Sequence, residues 1–149
     1  MRTTSRAIVI KDDQLLVMER NKFGHKYIAL IGGGVDPGET LEQCLVRELR
    51  EEATIEIKNP RLVIIENAGN VYGTQYIYLC DWISAEPKLS PDSEEAIISK
   101  AGQNLYSPKW LPLSDLESSV FMPNELKLLL IEMVTSGFPD VPVKLTINS

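Results

Sequence analysis

The chain has 149 residues, 44% of them hydrophobic, and sets 15 basic against 21 acidic side chains for a net charge of −6. That length suits one domain, 1–149, and that apolar fraction builds a sizeable core, which excludes global disorder. The acidic balance argues against a stable nucleic-acid complex, because neutralising phosphates needs Lys and Arg, while a phosphorylated small molecule held through a metal stays open.

In chain order, Ala7-Ile8-Val9-Ile10 and Leu15-Leu16-Val17-Met18 flank the polar stretch Lys11–Gln14 and predict a β-hairpin. The first of these runs is too short for the apolar core of a secretion signal, and cytoplasmic residence is expected. Asn21 to Lys26 is polar, contains Gly24 and predicts a loop, with His25 exposed in it. Tyr27 to Ile31 is a short strand. It ends at Gly32-Gly33-Gly34-Val35-Asp36-Pro37-Gly38, which reads as an irregular loop punctuated by Gly and Pro.

Thr40, with Gln43 three residues on, forms a capping box and opens a helix to about Ala53. Ile55 to Ile65 is strand-like with a kink at Asn59-Pro60. Tyr76 to Trp82 predicts a strand buried on both faces. Glu86 to Ser99, polar and with Pro87 and Pro91, predicts a loop, and Leu105 to Leu113 a further strand. Leu126, Leu129, Leu130 and Met133 fall at i, i+3, i+4, i+7, so a second helix runs from about Asn124 to Ser136 and Gly137 ends it. The most apolar stretch, Leu126 to Val134, is broken by Lys127 and Glu132, so no membrane span is expected. Cys44 and Cys80 are far apart and form no C-x-x-C, so two buried free thiols are expected.

The first helix carries an anomaly. In heptads counted from Leu41, positions a, d and e hold Leu41, Cys44 and Leu45. One heptad later they hold Glu48, Glu51 and Glu52, while Val46, Leu49 and Ala53 continue an apolar stripe. Three like charges at i, i+3 and i+4 repel, and the C-terminal end of a helix disfavours anions. Oxygen ligands without His or Cys suit a hard cation, Mg²⁺ or Mn²⁺. The bland alternative is a solvated acidic face offset by Arg47 and Arg50. The glycine loop just ahead favours the site, because glycines let a backbone approach a pyrophosphate closely.

Gly33, five residues, Glu39, seven residues, Arg47-Glu48-Leu49-x-Glu51-Glu52-x-x-Ile55 resembles the signature G-x5-E-x7-R-E-U-x-E-E-x-G-U of the Nudix hydrolases, MutT-like pyrophosphatases in which U is a bulky aliphatic residue. The hairpin Arg6 to Arg20, the segment Gly32 to Glu39 and Trp110 to Leu116 also resemble the family. Two positions depart from it. Ile31 stands where a proline commonly precedes the glycines. Thr54 stands where the signature has glycine; a β-branched residue is strained at positive φ, so another turn geometry is expected there.

The resemblance implies an α+β fold, an α/β/α sandwich with a mixed β-sheet, the first helix on one side and Asn124–Ser136 on the other. It implies metal-dependent hydrolysis of a nucleoside diphosphate linked to another group, with Mg²⁺ or Mn²⁺ as cofactor. Carried over, Glu48, Glu51 and Glu52 are metal ligands, with the Gly32 carbonyl and a later carboxylate, Glu95 narrowly ahead of Glu94. Glu48 is the water-activating base, with Arg47 and Glu51 beside it in the catalytic set. Glu39 and Arg47 form a structural ion pair. Gly33, Gly34 and Tyr72 face the substrate; Tyr27, Tyr76, Tyr78 and Trp82 are further stacking candidates, although the last three share one strand face and also read as core. A homodimer is left open. The rival class is a catalytically weak Nudix domain that binds a nucleotide or a protein. A plain structural domain with an acidic helix is the third.

Overall fold

The computed structural model describes residues 2–147. Strands β1 (Thr3–Lys11), β2 (Gln14–Lys22), β3 (His25–Ala29), β4 (Ile31–Gly34), β5 (Glu56–Asn67), β6 (Thr74–Ser84), β7 (Asn104–Pro112) and β8 (Val143–Thr146) form one mixed sheet. Helices are α1 (Leu41–Ala53), the single turn α2 (Gly69–Tyr72), α3 (Glu94–Lys100) and α4 (Asn124–Ser136). The sheet order is β3-β2-β1-β6-β5-β8, with β4 also paired to β1 and β7 to β2. β1 runs parallel to β6 over Thr3–Val9 and antiparallel to β4 over Thr4–Ala7.

Alternation along the strands sends successive side chains to opposite faces and so makes two cores. On one face Ile8, Leu15, Val17, Ile64 and Ile77 pack with Leu126, Leu130 and Met133 of α4. On the other, Ala7, Val9, Leu16, Met18, Tyr78 and Cys80 pack with Leu45, Leu49 and Ala53 of α1. The fold is therefore α+β, with α1 and α4 on opposite faces of the sheet, as expected. Tyr78 is buried in the α1 core, and Tyr76 and Trp82 pack against it. Both cysteines are buried free thiols. No helix among the described residues is long and apolar enough to cross a membrane.

The local chemistry explains most element ends. Asp12 and Asp13 both take positive φ (52° and 59°), which matches the strand twist of a two-residue hairpin. The capping box of α1 is formed on both sides: Gln43 N–H donates to Thr40 Oγ1 (3.1 Å) and Thr40 N–H to Gln43 Oε1 (2.9 Å). Gly137 closes α4 at φ 105°, its N–H donating to the Met133 carbonyl.

Four expectations are corrected. Asn21 to Lys26 is not a loop: Phe23-Gly24 alone turns, and Asn21, Lys22, His25 and Lys26 extend β2 and β3. Gly32-Gly33-Gly34 is not irregular but most of strand β4, paired to β1 through Arg6↔Gly32, Ser5↔Gly33 and Thr4↔Gly34. The glycines serve close approach, since a Cβ on Gly32 would lie 2.0 Å from the Ser5 carbonyl oxygen. Thr54 does adopt the left-handed conformation (φ 54°, ψ 28°), its N–H bonded to helix carbonyls and its hydroxyl donating to the Ala53 carbonyl at 2.6 Å. Within 86–99, residues from Glu94 onward form α3, because the Ser93 hydroxyl caps it by accepting from Ala96 N–H at 3.1 Å. The segment before α3 is tied to the end of α1: Lys88 N–H donates to the Ala53 carbonyl (2.9 Å) and Ser90 N–H to that of Glu51 (3.0 Å).

Candidate active site

The acidic part of α1 lies against β4. Gly32 N–H donates to Glu52 Oε2 at 3.2 Å, and a Cβ on Gly33 would sit 2.5 Å from the Glu48 carboxylate. Glu48 and Glu52 are both buried. At about 100° per residue they lie about 40° apart, inside the arc that also holds Leu45 and Leu49. Glu51 falls beyond the edge of that arc and is half-exposed. Of the three carboxylates expected to face one place, the structure brings two to the glycine strand and leaves the third at its rim.

Arg47 organises the loop and the rim. Its Nε donates to Glu39 Oε2 (2.7 Å) and its Nη2 to Glu39 Oε1 (3.0 Å), a bidentate pair. Nη2 also reaches the Gly34 carbonyl at 3.1 Å, and Nη1 donates to Glu48 Oε1 (2.9 Å) and Glu51 Oε2 (3.3 Å). The pair, with the Asp36 N–H, holds the Glu39 carboxyl down to about 2, and Arg47 is raised in turn. The Cys44 thiol donates to the Gly33 and Gly34 carbonyls, both at 3.4 Å; burial and the nearby carboxylates push it up to about 11.

A carboxyl whose folded value lies below its ordinary 4.5 stabilises the fold above 4.5 and loses that contribution as pH falls through the folded value. Glu39→Gln is therefore expected to melt below the native protein at pH 7. The gap narrows between pH 4.5 and about 2 and closes below that. Thermal melts at stepped pH check this; a gap independent of pH contradicts it.

Glu48, Glu52 and Glu95 are each raised, first by burial and then by acidic neighbours. Glu48 is raised by burial, with Glu51 and Glu95 adding and Arg47 opposing. Glu52 is raised well above its ordinary value by burial, then by Glu48 and Glu95, against Arg6 and the Gly32 N–H. Glu95, in the first turn of α3, is raised by burial and its acidic neighbours. Glu94 is exposed, whereas Glu95 is half-buried and its charge acts on both Glu48 and Glu52.

This donor set fits a hard divalent cation. The oxygens are carboxylate and main chain, and the buried, mutually repelling charges are relieved by a cation among them. Among the described residues no three His, Cys, Asp or Glu side chains are already gathered at cation distance. Glu48 is turned to Arg47 and Glu52 to the Gly32 amide.

Tyr72, on the single turn α2, is exposed at the β5–β6 tip, beside the end of β1. An open cleft of about 520 Å³ beside β4 is lined by Arg2, Gly34, Val35, Glu39 and Tyr76, and by none of Glu48, Glu51, Glu52 or Glu95. Three side chains near the acids were given no part in the site by the sequence, Tyr106 among them, which reads there as packing near the sheet end. Arg6 donates to Gln75 Oε1 (2.6 Å) and the Leu30 carbonyl (3.1 Å), with Glu52 in its field. Arg20 stacks on Tyr106, 3.7 Å from the ring centroid, and Tyr106 feels both Glu95 and Glu52. The available signal was period two: Leu16, Met18 and Arg20 share one face of β2.

A family model described as the NUDIX domain matches residues 1–130. A curated relative, the NAD-capped RNA hydrolase NudC of Photobacterium profundum, is 36% identical over 98 residues, which is 64% of this chain and 36% of the relative. The chain thus spans about a third of the length of that relative. Among solved structures, a MutT NUDIX hydrolase from Burkholderia pseudomallei superposes with a TM-score of 0.66 at 22% identity, over 86% of this chain and 95% of that one. A NUDIX hydrolase from Nitrosomonas europaea gives 0.72 at 15% identity, over 99% of this chain and 79% of that one.

Proposed function

The chain belongs to the NUDIX family, and from that premise we propose that it hydrolyses a pyrophosphate bond in a nucleoside diphosphate linked to another group, with Mg²⁺ or Mn²⁺. The observation that carries this is the burial of Glu48 and Glu52 against the glycine strand, with Gly32 N–H on Glu52 and no side chain between Gly33 and Glu48. A sequence that needed only a stable helix places leucines there.

Glu48, Glu51, Glu52 and Glu95, with the Gly32 carbonyl, are the groups that would hold the cation. Bound there, it screens the pyrophosphate charge and lowers the pKa of water. Glu48 takes the proton of the attacking water, and Arg47 Nη1 orients its carboxylate. Glu39 fixes Arg47, and through the Gly34 carbonyl Arg47 fixes the strand. Gly32 and Gly33 make room for β1 and Glu48, and Gly34, open beside the strand, is where a phosphate would approach the main chain. Thr54, the departure that favoured a binding-only domain, leaves the helix end formed with its carbonyls bonded, so it gives that rival reading no structural support.

The substrate is proposed as a class: nucleoside triphosphates, nucleotide sugars, ADP-ribose, dinucleoside polyphosphates, or the NAD-capped RNA that names the curated relatives. A hydrolysis screen with Mg²⁺ over these compounds tests it, and no hydrolysis of any of them sinks it. The cation is tested apart from turnover. Calorimetric titration of Mn²⁺ is expected to show at least about tenfold weaker binding for Glu52→Gln than for the native protein, since one buried ligand charge is gone. Equal affinity contradicts Glu52 as a ligand.

A further inference from the structure

We infer that Arg20 holds a phosphate group of the substrate from the wall of the site opposite α1; this rests on the pyrophosphohydrolase reading. The sheet register places Arg20 of β2 between Tyr27 of β3 and Tyr106 of β7. Its guanidinium carbon lies over the Tyr106 ring, 3.7 Å from the centroid, and Nη2 donates to Asn104 Oδ1 at 2.6 Å. Nη1 makes one long bond, 3.3 Å, to the Tyr27 hydroxyl. The Nε–H, shielded from solvent, has no partner.

α3 packs beside this group, since Tyr106 N–H donates to the Ser99 hydroxyl (3.0 Å), and Glu95 lies one helical turn before Ser99. Arg20 and the acidic cluster thus face the same space, and the charge of Arg20 opposes the rise of Glu95.

The other two cations of the site are committed. All three nitrogens of Arg47 are engaged by carboxylates or the Gly34 carbonyl, and Arg6, bonded to Gln75 and the Leu30 carbonyl, is desolvated by burial and already faces the charges of Glu52 and Glu66. A pyrophosphate substrate brings further negative charge to a cluster that already holds Glu48, Glu51, Glu52 and Glu95. Arg20 has five N–H donors and spends two on neutral partners. The Tyr106 ring and the Asn104 and Tyr27 bonds hold the fork in place and leave one hydrogen on each Nη for the oxygens of a phosphate. A surface arginine meant for stability would pair with a carboxylate; here the neighbours that hold it carry no charge.

The test uses the full chain as native, Arg20→Gln, Arg20→Lys and Asn104→Ala. ADP is titrated calorimetrically in EDTA, and kcat and KM are measured with Mg²⁺ on the nucleotide that the hydrolysis screen identifies. Arg20→Gln is expected to raise the ADP Kd and the KM about tenfold or more, with kcat within about threefold of native. Arg20→Lys keeps charge without the stacked fork and falls between. Asn104→Ala, which frees the fork, raises KM severalfold with an unchanged melt. Should Arg20→Gln melt early, Arg20→Lys and Asn104→Ala decide. KM within twofold of native in Arg20→Gln, or in both of those two variants, overturns the inference while the activity stands. A native protein that hydrolyses none of the nucleotides overturns the activity and Arg20's role with it.

Discussion

Glu48→Gln is expected to lower kcat by about 10²-fold or more, with a smaller change in KM. General-base assistance is typically worth about 10²–10⁴-fold, and the substitution removes the proton acceptor while keeping the side chain's size. The site explains why KM moves less. Glu48 is buried behind Gly33 and held by Arg47 Nη1 at 2.9 Å, so Gln keeps an oxygen for that bond and leaves the helix and strand in place. An interaction lost mainly in the transition state lowers kcat and kcat/KM together. Steady-state kinetics at saturating Mg²⁺ measures this. A near-native kcat would move the base to Glu51 or Glu95.

The glycine strand predicts three different outcomes from three neighbouring substitutions. A Cβ on Gly32 would lie 2.0 Å from the Ser5 carbonyl oxygen and 2.6 Å from the Arg6 Cα, both main-chain atoms inside the β1–β4 pairing. Gly32→Ala must therefore push the strands apart, and it is expected to cost about 3 kcal/mol or more, roughly 10 °C in Tm. It also draws the Gly32 amide away from Glu52. On Gly33 a Cβ meets the Glu48 carboxylate at 2.5 Å, the end of a side chain that can swing aside. Gly33→Ala should lose activity more than stability. Around Gly34 the nearest atom, Arg2 Nε, is 4.0 Å away, so Gly34→Ala should melt close to native. Equal melts for Gly32→Ala and Gly34→Ala would contradict the close approach.

Those contacts also show where sequence reasoning stops. Both long helices were legible, because Thr40 and Gln43 cap α1 through their own side chains and Leu126, Leu130 and Met133 repeat at the helical period. The hairpin was legible from two apolar runs on either side of the polar stretch Lys11–Gln14. Gly32-Gly33-Gly34 was not, since glycine weakens a strand locally and only the nearness of β1 and Glu48 calls for it. Thr54 went the same way: its intrinsic reluctance to take φ 54° was overridden by bonds to the Arg50 and Ala53 carbonyls. α3 is seven residues long and follows two prolines, so its periodicity is weak; the Ser93 cap with two acids behind it was the signal available. In the site, the heptad count gave the acids equal standing, whereas the helical angle separates Glu51 from the buried pair. Arg20 and Tyr106 lie 86 residues apart in sequence and become neighbours only through the β2–β7 register.

The amides of Lys88 and Ser90 on the last carbonyls of α1 make Ser90 a fixed point from which Glu95 is reached by counting. From Ser90 the chain closes a single turn, with Ser93 N–H and its hydroxyl both donating to the Ser90 carbonyl, and α3 begins. Where Glu95 stands is therefore a matter of chain length. One residue inserted after Glu94 would carry the carboxylate about 100° around the axis of α3 and out of the space it shares with Glu52. In this stretch a deletion or insertion alters the site more than an exchange of side chains would, and the number of residues from Ser90 to Glu95 is itself part of the design.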